Sequence, residues 1–197
     1  AAVAAGGSPN HALVEEYDGT SWSEVNNLPA ANFGGHGAGT LTAGLGFGGY
    51  TTATVAETLA YDGTNWTDVG NLNVARRLGN ANFGTASLAY VSGGITPVGN
   101  RQTTTAVYDG SAWAASAASL GTGRQHNGGM GAGGSSTTSG LACGGNIAPN
   151  NSTTETEEFN LSTSTFTNST WASGGNLGTA RGYIAMAGTQ TAAIGAG

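Results

Sequence analysis

The sequence predicts an all-β chain of four repeats, and three observations carry that prediction. First, a Tyr-Asp-Gly turn followed by tryptophan recurs, from Tyr17 to Trp22, from Tyr61 to Trp66 and from Tyr108 to Trp113. Second, double glycines keep step with it: Gly6-Gly7, Gly48-Gly49, Gly93-Gly94 and Gly144-Gly145 lie 42, 45 and 51 residues apart. Third, no segment combines helical periodicity with helix-forming residues over ~11 positions. A period of roughly 40–50 residues with fixed aromatic and glycine landmarks is that of propeller blades or a solenoid.

Each period has room for four short strands. One precedes the double glycine, one ends in it, one ends at the tyrosine and one holds the tryptophan. Segments 87–91, 103–108 and 182–186 read as such strands, being short apolar runs bounded by Gly, Asn or Pro. Asp-Gly between Tyr and Trp signals a tight turn, because glycine accepts positive φ and aspartate bonds its own backbone. Gly63 and Gly110 take the glycine role, with Asp62 and Asp109 beside them and Asp18 in the first copy. A looser fourth copy runs from Phe159-Asn160 to Trp171. A leucine follows each tryptophan (Leu28, Leu72, Leu120, Leu177), and four residues later comes Arg76, Arg124 or Arg181, with Asn32 in the first copy. The repeats are drawn at 1–43, 44–88, 89–139 and 140–197 of a single domain.

Composition excludes several functions. The 197 residues include 36 glycines and no lysine, and only 8% are charged, with a net charge of −6. Soluble domains usually carry about 25% charged residues. A binder that neutralises many nucleic-acid phosphates is excluded on this balance, as is a polybasic membrane-surface module. No apolar run reaches the ~18–20 residues of a membrane-spanning helix. Cys143 is the only cysteine, so no internal disulfide or multi-cysteine metal site is expected.

This order of landmarks resembles the kelch repeat, which runs from a double glycine through a Tyr-Asp turn and a Trp to a Leu and an Arg. Gly48-Gly49, Tyr61-Asp62-Gly63, Trp66, Leu72 and Arg76 match in order, as do Gly93-Gly94, Tyr108-Asp109-Gly110, Trp113, Leu120 and Arg124. Gly144-Gly145, Trp171 and Arg181 mark the last copy. The resemblance implies a kelch-like β-propeller of four-stranded antiparallel blades, with the tryptophans packed between neighbours. The wording from Leu177 to Tyr183 and from Ala187 to Ile194 is similar to repeat-containing virion proteins of marine bacteriophages. Kelch proteins usually have six or seven repeats, so the chain is expected to be a segment of a longer repeat protein. The rival expectation is a closed ring whose C-terminal strands complete the N-terminal blade.

The function expected from that resemblance is non-enzymatic: a structural or adhesive protein of a phage virion surface or fibre. Its partners would be other virion or surface subunits and a host-surface glycan, with no cofactor, and its location virion or extracellular. The alternative is a lectin-like propeller of a secreted or cell-surface bacterial protein. A copper-oxidase-like kelch enzyme ranks third, because His11, His36 and His126 show no ligand spacing and Cys143 lies in an apolar run. The arginines at one phase of the repeat are expected to make a structural bond in each blade, while Arg77 and Arg101 are freer for partners. Glu155, Glu157 and Glu158 are expected on a solvated strand face, with a calcium or sugar site as the lesser reading. Loops 95–102, 145–154 and 160–170 differ most between repeats and are the expected binding surface.

Overall fold

The structure is a computed structural model that describes residues 2–79, 81–126, 128–131, 136–149, 151–161, 170–182, 185–189 and 192–196. Every regular element among them is a strand, and each sheet is a meander in which chain neighbours pair antiparallel. The first sheet has three strands: β1 (Ala2–Ala5), β2 (Val14–Tyr17) and β3 (Trp22–Glu24). The second has four: β4 (His36–Thr40), β5 (Ala43–Phe47), β6 (Thr58–Tyr61) and β7 (Trp66–Asp68). The third also has four: β8 (Ala81–Thr85), β9 (Leu88–Ser92), β10 (Thr104–Tyr108) and β11 (Trp113–Ser119).

The fourth sheet joins β12 (Gly128–Gly131) and β13 (Ser139–Cys143) to β16 (Thr156–Asn160) and β17 (Thr170–Ser173). Between β13 and β16 a small hairpin projects, β14 (Asn146–Ala148) with β15 (Asn151–Ser152), inside the stretch expected to be a plain loop. The strands β18 (Ala185–Thr189) and β19 (Ala192–Ala196) form a separate pair.

Two expectations are corrected here. Among the described residues the first sheet has three strands, not four, and β18–β19 form a two-stranded sheet that is not paired to it. The last predicted strand, 182–186, overlaps β18 (Ala185–Thr189), and its residues 183 and 184 lie outside the described residues. The sheets are moreover offset from the sequence repeats: β4, inside residues 1–43, pairs into the second sheet. The reason is local. His36–Thr40 reads HGAGT, with no apolar alternation to mark it, and it is recruited by the edge of β5.

Neighbouring sheets pack face to face through side chains that alternate along their strands. Between the second and third sheets, Leu45, Phe47, Leu72, Ala89, Val91, Ala106, Tyr108 and Trp113 form one buried cluster. Phe47 meets the edge of Trp113 at 4.8 Å between ring centroids, and the Trp113 indole N–H donates to the Thr58 hydroxyl at 2.9 Å. Phe83, Tyr90, Ala118 and Phe159 fill the next seam. Gly140 makes room there, since a Cβ on it would lie 2.4 Å from the Phe83 ring. Full burial of such a side chain stabilises by roughly 1.5–3 kcal/mol, so these clusters bind sheet to sheet.

Gly48 has φ +64°, and a Cβ on it would stand 2.5 Å from the Arg76 carbonyl oxygen. Gly99 has φ +87° with open space around it. G99A should therefore cost only the left-handed backbone term, about 1–2 kcal/mol. G48A should add a backbone displacement and lose at least about 2 kcal/mol more. Urea denaturation of the two variants checks this; equal losses would mean that the close approach carries no weight.

Candidate functional site: the seams between sheets

The Tyr-Asp-Gly turns come first in the sequence and are the simplest to account for. The Asp18 carboxylate accepts from the backbone N–H groups of Thr20 (2.7 Å) and Ser21 (2.9 Å). Asp62 does the same with Thr64 and Asn65, and Asp109 with Ser111 and Ala112. These bonds favour the ionised form and hold all three carboxyls below their ordinary 3.8. Gly63 (φ +95°) and Gly110 (φ +96°) supply the left-handed residue beside them.

The second feature is a clasp at each double glycine. The second glycine donates its N–H back to the residue at the arginine phase: Gly7 to Asn32 (2.9 Å), Gly49 to Arg76 (2.8 Å), Gly94 to Arg124 (2.9 Å) and Gly145 to Arg181 (2.8 Å). The side chain at that phase reaches forward to the next sheet. Arg76 donates to the Gly93 carbonyl (3.2 Å), the Thr104 carbonyl (3.1 Å) and the Thr104 hydroxyl (3.3 Å). Arg124 donates to the Gly144 and Glu155 carbonyls, both at 3.2 Å, and pairs with the carboxylates of Glu155 (2.9 Å) and Glu157 (2.5 Å). Asn32, being shorter, reaches only the Gly48 carbonyl (3.0 Å) while accepting from the Tyr50 N–H.

Several sequence expectations change at this point. Glu157 does not lie on a solvated face: it is 8% exposed, pairs with Arg124 and accepts the Gly121 N–H at 2.8 Å. The spacing of Glu155 and Glu157 already placed both on one strand face; the missing information was that the face meets Arg124. Arg77 and Arg101 are engaged within the fold, Arg77 over the Tyr50 ring at 5.0 Å and Arg101 Nε on the Asn146 carbonyl at 3.1 Å. The tryptophans also diverge. Trp113 is buried, Trp66 is half-buried against Tyr61 at 4.6 Å, and Trp22 is 50% exposed beside Tyr17. The Trp171 side chain lies outside the described residues, although its backbone pairs with Phe159. Tyr61 donates to Glu16 at 2.6 Å and is pushed up to about 12 by burial and by that carboxylate.

The groups suited to chemistry are held inside. Burial pushes the Cys143 thiol up to about 11. Among the described residues no three His, Cys, Asp or Glu side chains gather around one ion position. His36 is 7% exposed, next to Phe47. A cavity of about 290 Å³ opens at the first seam, between the three-stranded sheet and the second. Its walls include Val3, Ala5, Asn32, Glu57, Leu59 and Trp66. Nothing in the repeat landmarks pointed to it, because it arises from what the first repeat lacks.

Successive antiparallel meanders, each stitched to the next at a double glycine, define a propeller-type repeat protein. No protein-family model matches the chain, and no curated protein does either. Among solved structures it is similar to YjhT, with a TM-score of 0.73 over 91% of this chain at 12% identity. The chain spans 63% of that structure's length. At that identity the likeness concerns the fold, which is β-propeller-like.

His36 supplies a test of the second seam. Burial, with the Arg76 charge adding, lowers it from 6.5 to about 3. The folded value lies below the unfolded one, so the unfolded chain takes up the proton first as pH falls. Stability from a neutral His36 is complete above about 6.5 and is lost as pH falls toward about 3. H36F keeps a ring there and removes the titration. Its urea midpoint should vary less with pH across that window than the parent's; identical curves would remove His36 as a source of acid sensitivity.

Proposed function

We propose that this chain is a non-enzymatic structural and adhesive repeat protein, a kelch-like scaffold on a phage virion surface or fibre. It displays its inter-strand loops for contact with other virion subunits or a host surface. The observation that carries this reading is where the reactive groups lie. Arg76, Arg124, Glu157, His36 and Cys143 are all buried, which leaves a lysine-free surface rich in Gly, Thr, Ser and Asn. Such a surface suits assembly and display better than turnover, and the low charge disfavours nucleic acid and membranes as partners. The repeat wording around Leu177–Tyr183 supports the virion assignment. Antibodies against the chain should decorate intact purified particles in immunogold electron microscopy. Label confined to the soluble lysate of the host would overturn the assignment.

One observation favours a second reading, a glycan-binding propeller. Trp22 is 50% exposed and its ring lies 5.2 Å from that of Tyr17, which makes an aromatic platform of the kind sugars stack on. On a glycan array the parent chain should then bind a sugar that W22A loses at least tenfold. Equal binding by W22A, or an array with no binder, would remove this reading.

A further inference from the structure

The three described seams share a backbone but differ in what occupies it. At each, the first glycine of the pair donates its N–H to a carbonyl at the entrance of the third strand: Gly48 to Glu57, Gly93 to Thr104, Gly144 to Glu155. That bond makes Glu57, Thr104 and Glu155 equivalent positions. In the second and third seams a guanidinium fills the space in front of this position. Arg76 lies on Thr104, and Arg124 lies on Glu155 through both its carbonyl and its carboxylate. In the first seam the same phase holds Asn32, whose amide stops at the Gly48 carbonyl.

Two further replacements enlarge the gap. Ala5 stands before its double glycine where Phe47 stands before the next, so the ring that packs on Trp113 has no counterpart at Trp66. Val14 occupies the place that Thr58 holds relative to its tyrosine. Thr58 accepts the Trp113 indole N–H, whereas the buried N–H of Trp66 has no partner. At this seam, beside the three-stranded sheet, lies the cavity of about 290 Å³, near the lower end of small-ligand sites at roughly 300 Å³. Glu57, just before β6, and Leu59 within it both line the cavity. Among the described residues the Glu57 carboxylate has no cationic partner.

We propose that this cavity is a binding site for a guanidinium group, supplied by a small guanidino compound or by an arginine side chain of a peptide. The cation occupies the slot that Arg76 and Arg124 fill at the other seams. It pairs with Glu57 as Arg124 pairs with Glu155, while Leu59, Ala5 and the Trp66 ring cover its apolar stem. A planar fork matches a carboxylate better than a compact ammonium does, so the site discriminates between the two.

The test is an NMR titration of the ¹⁵N-labelled chain, following the Trp66 indole resonance, assigned by its loss in W66F. Methylguanidinium chloride should shift it saturably, and methylammonium chloride at equal ionic strength should need at least tenfold more. E57Q, which keeps shape and removes charge, should weaken methylguanidinium at least tenfold. A5F should abolish the response by filling the cavity with the residue the next seam carries, so either variant suffices if the other is poorly folded. A blocked Gly-Arg-Gly peptide that competes identifies an arginine side chain as an accepted source, and one that does not restricts the site to small guanidino compounds. No saturable shift with methylguanidinium, or equal binding by parent, E57Q and A5F, overturns the proposal.

Discussion

The double-glycine clasp is the constraint on which the rest of this structure depends. The second glycine ties its own sheet to the arginine-phase backbone, and the first presents a carbonyl to the side chain arriving from the preceding sheet. Both connections need a backbone that passes close to another backbone with left-handed φ. Gly48 and Gly49 (φ +64° and +101°) have that freedom and any residue with a Cβ does not. A cation in this position must then be buried. Arg76 is 1% exposed, and desolvation brings it down to about 10, so at neutral pH it still carries its charge. Its partners are two carbonyls and a hydroxyl, which solvate a guanidinium that has no counter-ion among the described residues. Arg124 uses the equivalent carbonyls, those of Gly144 and Glu155, and adds two carboxylates. Removing one member of such a buried set leaves the others unpaired, a loss of about 3–5 kcal/mol.

Much of this was legible in the chain, for reasons that are local. Tyr61-Asp62-Gly63 encodes its own turn, because the aspartate's bonds go to residues two and three positions away. The strand that ends in the double glycine is legible because its glycines and its Leu45 and Phe47 are unmistakable neighbours in sequence. What stayed hidden depends on partners distant in the chain. Glu157 finds Arg124 33 residues earlier, and neither residue type alone says whether the meeting is buried. The strands His36–Thr40 and Gly128–Gly131 carry little pattern of their own and are fixed by the edge they pair with. Repeat boundaries taken from landmarks therefore fall inside sheets.

The tryptophans show the same limit. Trp22, Trp66 and Trp113 are spaced alike from a Tyr-Asp-Gly turn, and spacing alone predicts one environment for the three. Trp113 is buried because the preceding sheet offers Phe47 and Thr58. For Trp66 the corresponding places of the preceding sheet hold Ala5 and Val14, and it is only half-buried. Burial here is a property of a pair of repeats, and a single repeat does not contain it.

That distinction bears on where function resides in such a fold. The backbone of every seam offers the same acceptors, so the scaffold tolerates exchange of the side chains set against it. Where Arg and Phe are present, the seam is closed by the protein itself. Where Asn32 and Ala5 stand instead, the acceptors persist without the guanidinium, and Glu57 lines a cavity whose walls are part polar and part apolar. A periodic structure thereby acquires a non-periodic position at the seam of its three-stranded sheet. For a repeat protein whose landmarks all serve to hold sheets together, the departures from the repeat are the places with chemistry left over for something else.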